Sequence, residues 1–238
     1  MDQPGLVEVG ALIRHCAERH LLPHFHHARV AWKADGSQVT QADTAMQAAL
    51  VEALRERWPH IAVLGEEMER DQQQAVIDNG GPFWCLDPLD GTSNFASGIP
   101  FFAVSLALIQ DGRPRLGLVY DPCREELFSA AQGEGACLNG EPLRPTALPD
   151  DLGRGIGVVD FKRLAPELAR RLAADSPYRS QRSFGAVALD WCWIAAGRGH
   201  VYVHGRQKLW DLAAGCLILQ EAGGLAVTLE GEPVFAPG

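Results

Sequence analysis

Asp87 and Asp90 stand three residues apart in the segment 84–95, WCLDPLDGTSNF, with Pro88 between them and Gly91-Thr92 directly after. Carboxylate oxygens are hard ligands and select magnesium or calcium over softer metals. Pro88 fixes its own φ and donates no N–H, so the bend is set before any cation arrives. Gly91 has no Cβ and lets a phosphate oxygen come close to the backbone. A helix starting at Thr92 would point its free N–H groups at the same anion. The chemistry of this segment is a divalent cation held against a phosphate. Asp-Gly by itself is an ordinary turn signal, so the reading depends on its company: Leu64-Gly65-Glu66-Glu67 upstream, and Trp210-Asp211-Leu212-Ala213-Ala214-Gly215 downstream, closed by Glu221-Ala222-Gly223-Gly224.

Glu66, Asp87, Asp90 and Asp211 could not share a site unaided. At about 4 Å each like-charged pair repels by about 1 kcal/mol in water and about 4 kcal/mol at an effective dielectric of 20. Several such pairs call for bound cations, roughly two or three Mg²⁺. Asp211 opens a helix, where its charge also meets the positive end of the dipole.

These blocks, joined by Lys33-Ala34-Asp35-Gly36-Ser37 and Val39-Thr40-Gln41-Ala42-Asp43, resemble the inositol monophosphatase family of lithium-sensitive, magnesium-dependent phosphomonoesterases. The resemblance runs from the N-terminal helix to the last residues. It implies a layered αβαβα sugar-phosphatase fold, a small phosphorylated metabolite as substrate and a homodimer. It also implies roles. Glu66, Asp87 and the carbonyl of Leu89 would hold a first cation, and Asp87, Asp90 and Asp211 a second. Glu66 and water would hold a third, weaker one. Glu66, Thr92 and Asp43 would position the attacking water. Asp90, Gly91 and Thr92 would meet the phosphate, and Gly185 and Val187 would line the substrate pocket, narrowed by the valine. The implied reaction is Mg²⁺-dependent hydrolysis of an inositol-1-phosphate-type monoester by activated water, releasing inorganic phosphate with no phosphoenzyme. A 3′(2′),5′-bisphosphate nucleotidase, a histidinol or fructose-1,6-bisphosphate phosphatase, and a non-catalytic binding protein are the alternatives.

The chain departs from the inositol-cleaving pattern at His204, where a glutamate usually accepts sugar-like hydroxyls. A neutral histidine offers one acceptor. His204, Arg206 and Lys208 alternate along a segment that reads as extended, so they would share one cationic face. That face suggests a substrate with a second anionic group, a phosphate or a carboxylate. The plainer reading is a solvated basic loop. Arg182 reads as a structural ion-pair partner. Relatives by resemblance continue with another strand and helix past the point where this chain stops, at Gly238.

Composition bounds the rest. With 238 residues, 47% apolar and 21% charged, the chain is an ordinary globular protein. It forms one large domain or two subdomains, divided here as 1–149 and 150–238. A net charge of -9 argues against a nucleic-acid surface. No apolar run has membrane-spanning length, and the N-terminus lacks the pattern of a signal peptide. Six scattered cysteines without a C-x-x-C pair point to free thiols in a reducing cytoplasm.

The elements that must carry these residues follow from apolar spacing and stop signals. Helices are expected over 6–23, 40–58, 164–172, 184–196 and 212–222, the last stopped by Gly223-Gly224. His24, His26 and His27 read as a solvated helix end. Strands are expected over 61–64 and 83–86, delivering Glu66 and Asp87 at their ends. Hairpins follow at 102–109 with 115–120 and at 126–131 with 135–138, then strands at 155–159, 200–203 and 225–228. The glycines of 153–157 precede a strand and do not make a nucleotide loop.

Overall fold

The computed structural model describes residues 4–28, 30–33, 36, 38–144 and 151–235. Ala34, Asp35 and Ser37 of the N-terminal motif lie outside them. Helix α1 (Leu6–His20) buries Val9, Ile13, Cys16 and Ala17 at helical spacing and is followed by a short 3₁₀ turn, Leu22–His24. Strands β1 (Val30–Trp32) and β2 (Gln38–Thr40) pair antiparallel. Helix α2 (Gln41–Arg57) starts at a reciprocal cap in which Thr40 and Asp43 bond each other's backbone, and buries Met46, Leu50 and Leu54.

A seven-stranded sheet forms the centre. It runs β3 (Ala62–Gly65), β4 (Phe83–Asp90), β5 (Ala103–Gln110), β6 (Arg113–Asp121), β7 (Glu126–Ala131), β8 (Gly135–Leu138) and β9 (Glu141–Pro142) in that spatial order. Only β3 and β4 are parallel, and α3 (Arg70–Asp78) links them. The short helix α4 (Thr92–Ala96) joins β4 to β5. Every residue of β4 is buried, as in a strand covered on both faces. Asp111 and Gly112 both adopt positive φ, the backbone a tight two-residue hairpin turn needs.

Beyond β9 the chain builds a small sheet, β11-β10-β12, from β10 (Ile156–Val159), β11 (Ser180–Arg182) and β12 (Val201–Val203), all parallel. Helix α5 (Pro166–Ala174) covers one face, where Leu168, Ala169 and Leu172 pack on Val159 and Tyr178. Helices α6 (Val187–Ala195) and α7 (Leu209–Glu221) lie between the two sheets. The layers are therefore α1/α2, the large sheet, α6/α7, the small sheet and α5. This is the expected αβαβα arrangement, with a core on each face of the large sheet. Helix α7 is apolar nearly all round because it is enclosed. It comes very near β6: a Cβ on Gly117 would stand 2.8 Å from the carbonyl oxygen of Ala214.

Several expectations change. The strand over 225–228 is not there: Val227 makes an isolated pairing with Pro233, and Leu225 is 82% exposed. Alternating side chains resemble a strand locally, but no sheet edge meets them. The helix over 184–196 begins only at Val187, because Gly185 sits at φ +83°. The helix over 164–172 begins at Pro166, where proline's fixed φ suits the first turn. Arg182 bonds the hydroxyl of Ser180 and the carbonyl of Gln181 rather than a carboxylate. All six cysteines are free. No helix among the described residues is long and apolar enough to cross a membrane.

Candidate active site

Glu66, Asp87, Asp90 and Asp211 lie where β3 and β4 end and α7 begins. The pairing of β4 with β5 slips between Asp87 and Asp90, opposite Ser105 and Ala103, so β4 carries one extra residue there. This bulge at Pro88 re-aims the strand end. Asp87 is 2% exposed and Asp90 7%. Asp87 Oδ1 accepts the Leu89 N–H at 2.9 Å. Asp90 accepts from the start of α6: Val187 N–H to Oδ1 at 3.0 Å and Ala188 N–H to Oδ2 at 2.6 Å.

Gly91 caps α4 at φ +90°. A Cβ there would stand 3.0 Å from the carbonyl oxygen of Phe101, so both conformation and space require glycine. The Thr92 hydroxyl lies 3.0 Å from the Leu89 carbonyl and 3.1 Å from Asp43 Oδ1. Asp43 is 1% exposed. Its Oδ2 accepts from the backbone and the hydroxyl of Thr40, so the cap of α2 fixes the oxygen that faces Thr92.

Glu66 follows β3, and its N–H donates to the Leu86 carbonyl at 3.0 Å. Lys33, just past β1, places Nζ 2.9 Å from Glu66 Oε1 and 2.6 Å from Glu67 Oε1. Burial opposes the charge on Lys33, and the two glutamates more than restore it. Asp211 occupies the first turn of α7, where its Oδ2 accepts the Lys208 N–H at 2.9 Å. The Trp210 carbonyl, bonded by Ser105 Oγ at 3.0 Å, ties that turn to β5.

The carboxyls feel one another. Burial pushes Asp87 well above the usual carboxylate range, and Glu66, Asp90 and Asp211 each push further. Asp90 is raised to about 8 by burial and by Asp211 and Glu66, against the two amide donors. Asp211 is raised to about 6 by burial and Glu66, while the Lys208 N–H, Arg163 and Lys208 oppose the rise. Burial also raises Asp43, against its bonds from Thr40 and Thr92.

Among the described residues, no three acidic, histidine or cysteine side chains stand in joint ligating reach. Their oxygens are turned to other partners: Glu66 to Lys33, Asp90 to α6, Asp211 to its own cap. The donor set is nonetheless all hard oxygen, and burial and mutual repulsion raise the pKa of Asp87, Asp90 and Asp211. Both features fit a divalent cation such as Mg²⁺.

The remaining expected site residues separate into two groups. Gly185 packs near the side chain of Asn94, and Val187 holds Asp90 through its backbone. His204 does not share a face with Arg206 and Lys208. Strand β12 ends at Val203 and the chain bends at Gly205, so the alternation lapses. The His204 side chain is 3% exposed. Its Nε2 lies 3.5 Å from Asp160 Oδ2, and its Nδ1 accepts the Arg206 N–H at 3.2 Å. Burial lowers its pKa, with Asp160 opposing and Arg163 assisting. His204 is therefore neutral at pH 7 with the proton on Nε2, and it has no free acceptor. Arg206 and Lys208 are exposed. Asp160 and Arg163 were not singled out from sequence. The charged run after β10 was visible, but not the fold that sets it beside residue 204.

The profile of the inositol monophosphatase family matches residues 11–237. This chain belongs to that family. A Nus factor SuhB of Pasteurella multocida is 39% identical over 206 residues, 84% of this chain and 74% of that protein. An inositol-1-monophosphatase of Bacillus subtilis is 34% identical over 82% of this chain and 74% of its own length. Among solved structures, an IMPase of Thermotoga maritima superposes with a TM-score of 0.84 at 29% identity, covering 96% of this family member and 87% of that chain. A Staphylococcus aureus IMPase-II bound to inositol monophosphate reaches 0.80 at 30% identity, covering 97% and 84%.

Proposed function

We propose that this chain is a divalent-cation-dependent phosphomonoesterase that hydrolyses a small phosphorylated metabolite of inositol-1-phosphate type. The observation that carries this reading is the placement of buried Asp87 and Asp90 at the end of β4, with Glu66 after β3 and Asp211 in the first turn of α7, beside the Thr92–Asp43 contact. Mg²⁺ held by Glu66, Asp87, the Leu89 carbonyl, Asp90 and Asp211 would supply charge neutralisation and acidify bound water.

The chain's own residues supply the rest. Thr92, pinned between Asp43 and the Leu89 carbonyl, orients the attacking water, and Asp43 and Glu66 draw its proton outward. The N–H groups of Gly91 and Thr92, in the first turn of α4, meet the phosphate oxygens. Asp90 aligns α6 with the pocket that Gly185 and Val187 line. Water acidified by the cation would be the nucleophile, so direct hydrolysis without a phosphoenzyme is expected. The homodimer that the resemblance implies is checked by the mass of the purified protein in solution.

Phosphate release with Mg²⁺ should be measured on inositol 1-phosphate, adenosine 3′,5′-bisphosphate, fructose 1,6-bisphosphate and histidinol phosphate. Preference for the first supports the reading. Preference for a bisphosphate moves it to the nucleotidase or sugar-bisphosphatase class; for the latter, a T. maritima relative is named fructose-1,6-bisphosphatase/inositol-1-monophosphatase. Absence of Mg²⁺-dependent release from all four would favour a second reading, a regulatory binding role, for which the Nus factor names of several relatives speak.

A further inference from the structure

We propose that Asn94 is a positioning residue for substrate: its side-chain amide sets the distance between the turn that carries Asp90, Gly91 and Thr92 and the pocket wall at Gly185–Val187. This rests on the phosphatase reading above and names a residue which that reading does not use.

Asn94 stands in α4, two residues past Thr92, and is half-buried. Its Nδ2 donates twice, to the Phe101 carbonyl at 2.8 Å and to the Phe184 carbonyl at 2.7 Å. Both amide protons are therefore spent on backbone, one on the segment entering β5 and one on the segment entering α6. The rings of the same two residues stack, with centroids 4.9 Å apart. Amide and ring pair fasten the two segments together.

These segments close on Gly91 from two sides. A Cβ at Gly91 would stand 3.0 Å from the Phe101 carbonyl oxygen and 3.1 Å from the Ala186 Cβ. Gly185 turns the chain at φ +83°, and a Cβ there would meet Asn94 Nδ2 at 3.5 Å. Past it, Asp90 accepts from Val187 and Ala188. The wall at 185–187 thus hangs between two holds from one turn, Asn94 on Phe184 and Asp90 on the start of α6. The second hold is charged and sits in the acidic cluster. The first is neutral and keeps its geometry whatever the charge there.

Two donors on a short arm are what the two carbonyls require. Aspartate has the same shape but would face them with acceptors. Thr92 has its own anchors in Asp43 and the Leu89 carbonyl, so loss of the amide should move the wall more than the attacking water.

The test measures kcat and KM with Mg²⁺ for Asn94→Asp, on the best substrate among the four esters above. We expect KM to rise about tenfold, the size of one lost hydrogen bond, with kcat changed less. Hydrogen exchange should quicken over residues 184–188 and stay as in the natural chain across α7. A lower Tm with KM unchanged makes Asn94 a purely structural residue and overturns the proposal. If Asn94→Asp does not fold, Asn94→Ser, smaller and uncharged, is held to the same criteria. If the natural chain releases phosphate from none of the esters, calorimetry with inositol 1-phosphate and Mg²⁺ decides. Binding weakened in the variant then sinks the phosphatase reading and keeps the Asn94 hold. Binding equal in both proteins, or absent from both, sinks the hold as well.

Discussion

Asp90 holds the first turn of α6 by two hydrogen bonds across 97 and 98 residues of sequence, one from Val187 and one from Ala188. Asp87, three residues earlier, accepts among the described residues only from its neighbour Leu89. The two carboxylates therefore differ in what else depends on them. Asp87→Ala and Asp90→Ala should both abolish Mg²⁺-dependent phosphate release. Asp90→Ala should also lower unfolding free energy by about 1–3 kcal/mol relative to Asp87→Ala, because it strands the buried Ala188 donor and the half-buried Val187 donor. Equal denaturant midpoints for the two variants would contradict the clamp.

The Thr92 hydroxyl lies within hydrogen-bond distance of Asp43 Oδ1 and the Leu89 carbonyl. Its loss should act on the attacking water and leave binding nearly alone. Thr92→Ala is expected to lower kcat by about 10²-fold with little change in KM. An unchanged kcat rules out the assigned role.

Cations should stabilise the fold itself, because binding to buried, mutually repelling carboxyls favours the folded chain. Adding Mg²⁺ should raise Tm in proportion to ligand binding, and a chelator should reverse the rise. In Asp87→Asn the Mg²⁺-induced shift should shrink markedly. A full shift in that variant would place the cation elsewhere.

Asp190, on α6, is buried with Oδ1 unpartnered and is pushed up to about 8 by burial, then by Asp90 and Asp160. Unfolded, it titrates near 4. Between those values the folded chain holds a proton that the unfolded chain has released, so stability must fall as pH rises from about 4 to about 8. In chelator, Asp190→Asn should show a flatter Tm profile and exceed the natural chain at pH 9. Parallel profiles for the two proteins refute it.

Gly117 and Ala214 set how near α7 lies to β6. Gly117→Ala should displace α7 and with it Asp211, costing about 1–3 kcal/mol and reducing kcat. A crystal structure of the variant with α7 unmoved would refute the link.

Much of this was readable from residue order, and what was not has physical causes. The Thr40–Asp43 cap, the buried run of β4 and the Pro88 bend are local, and local rules find them. Helix α3 escaped because it buries none of its residues and so has no apolar stripe. The strand expected over 225–228 failed because alternation says nothing about whether a neighbouring strand exists. The Asp90 clamp and the His204–Asp160 pair join residues far apart in the chain. Only the folded arrangement could show that His204 is used up internally rather than offered to substrate.

The acids sit on the large sheet and on α7, while Arg163 and the bend at Gly205 extend from the small parallel sheet. The acidic cluster and the turns at 160–164 and 204–208 thus hang on different scaffolds, joined where Asp160 N–H meets the Val203 carbonyl. Over descent, side chains in the 160–164 and 204–208 turns can change while the strands that hold Glu66, Asp87 and Asp90 stay as they are. A lineage built this way diversifies at its margins, and its members should differ most in the small sheet's turns.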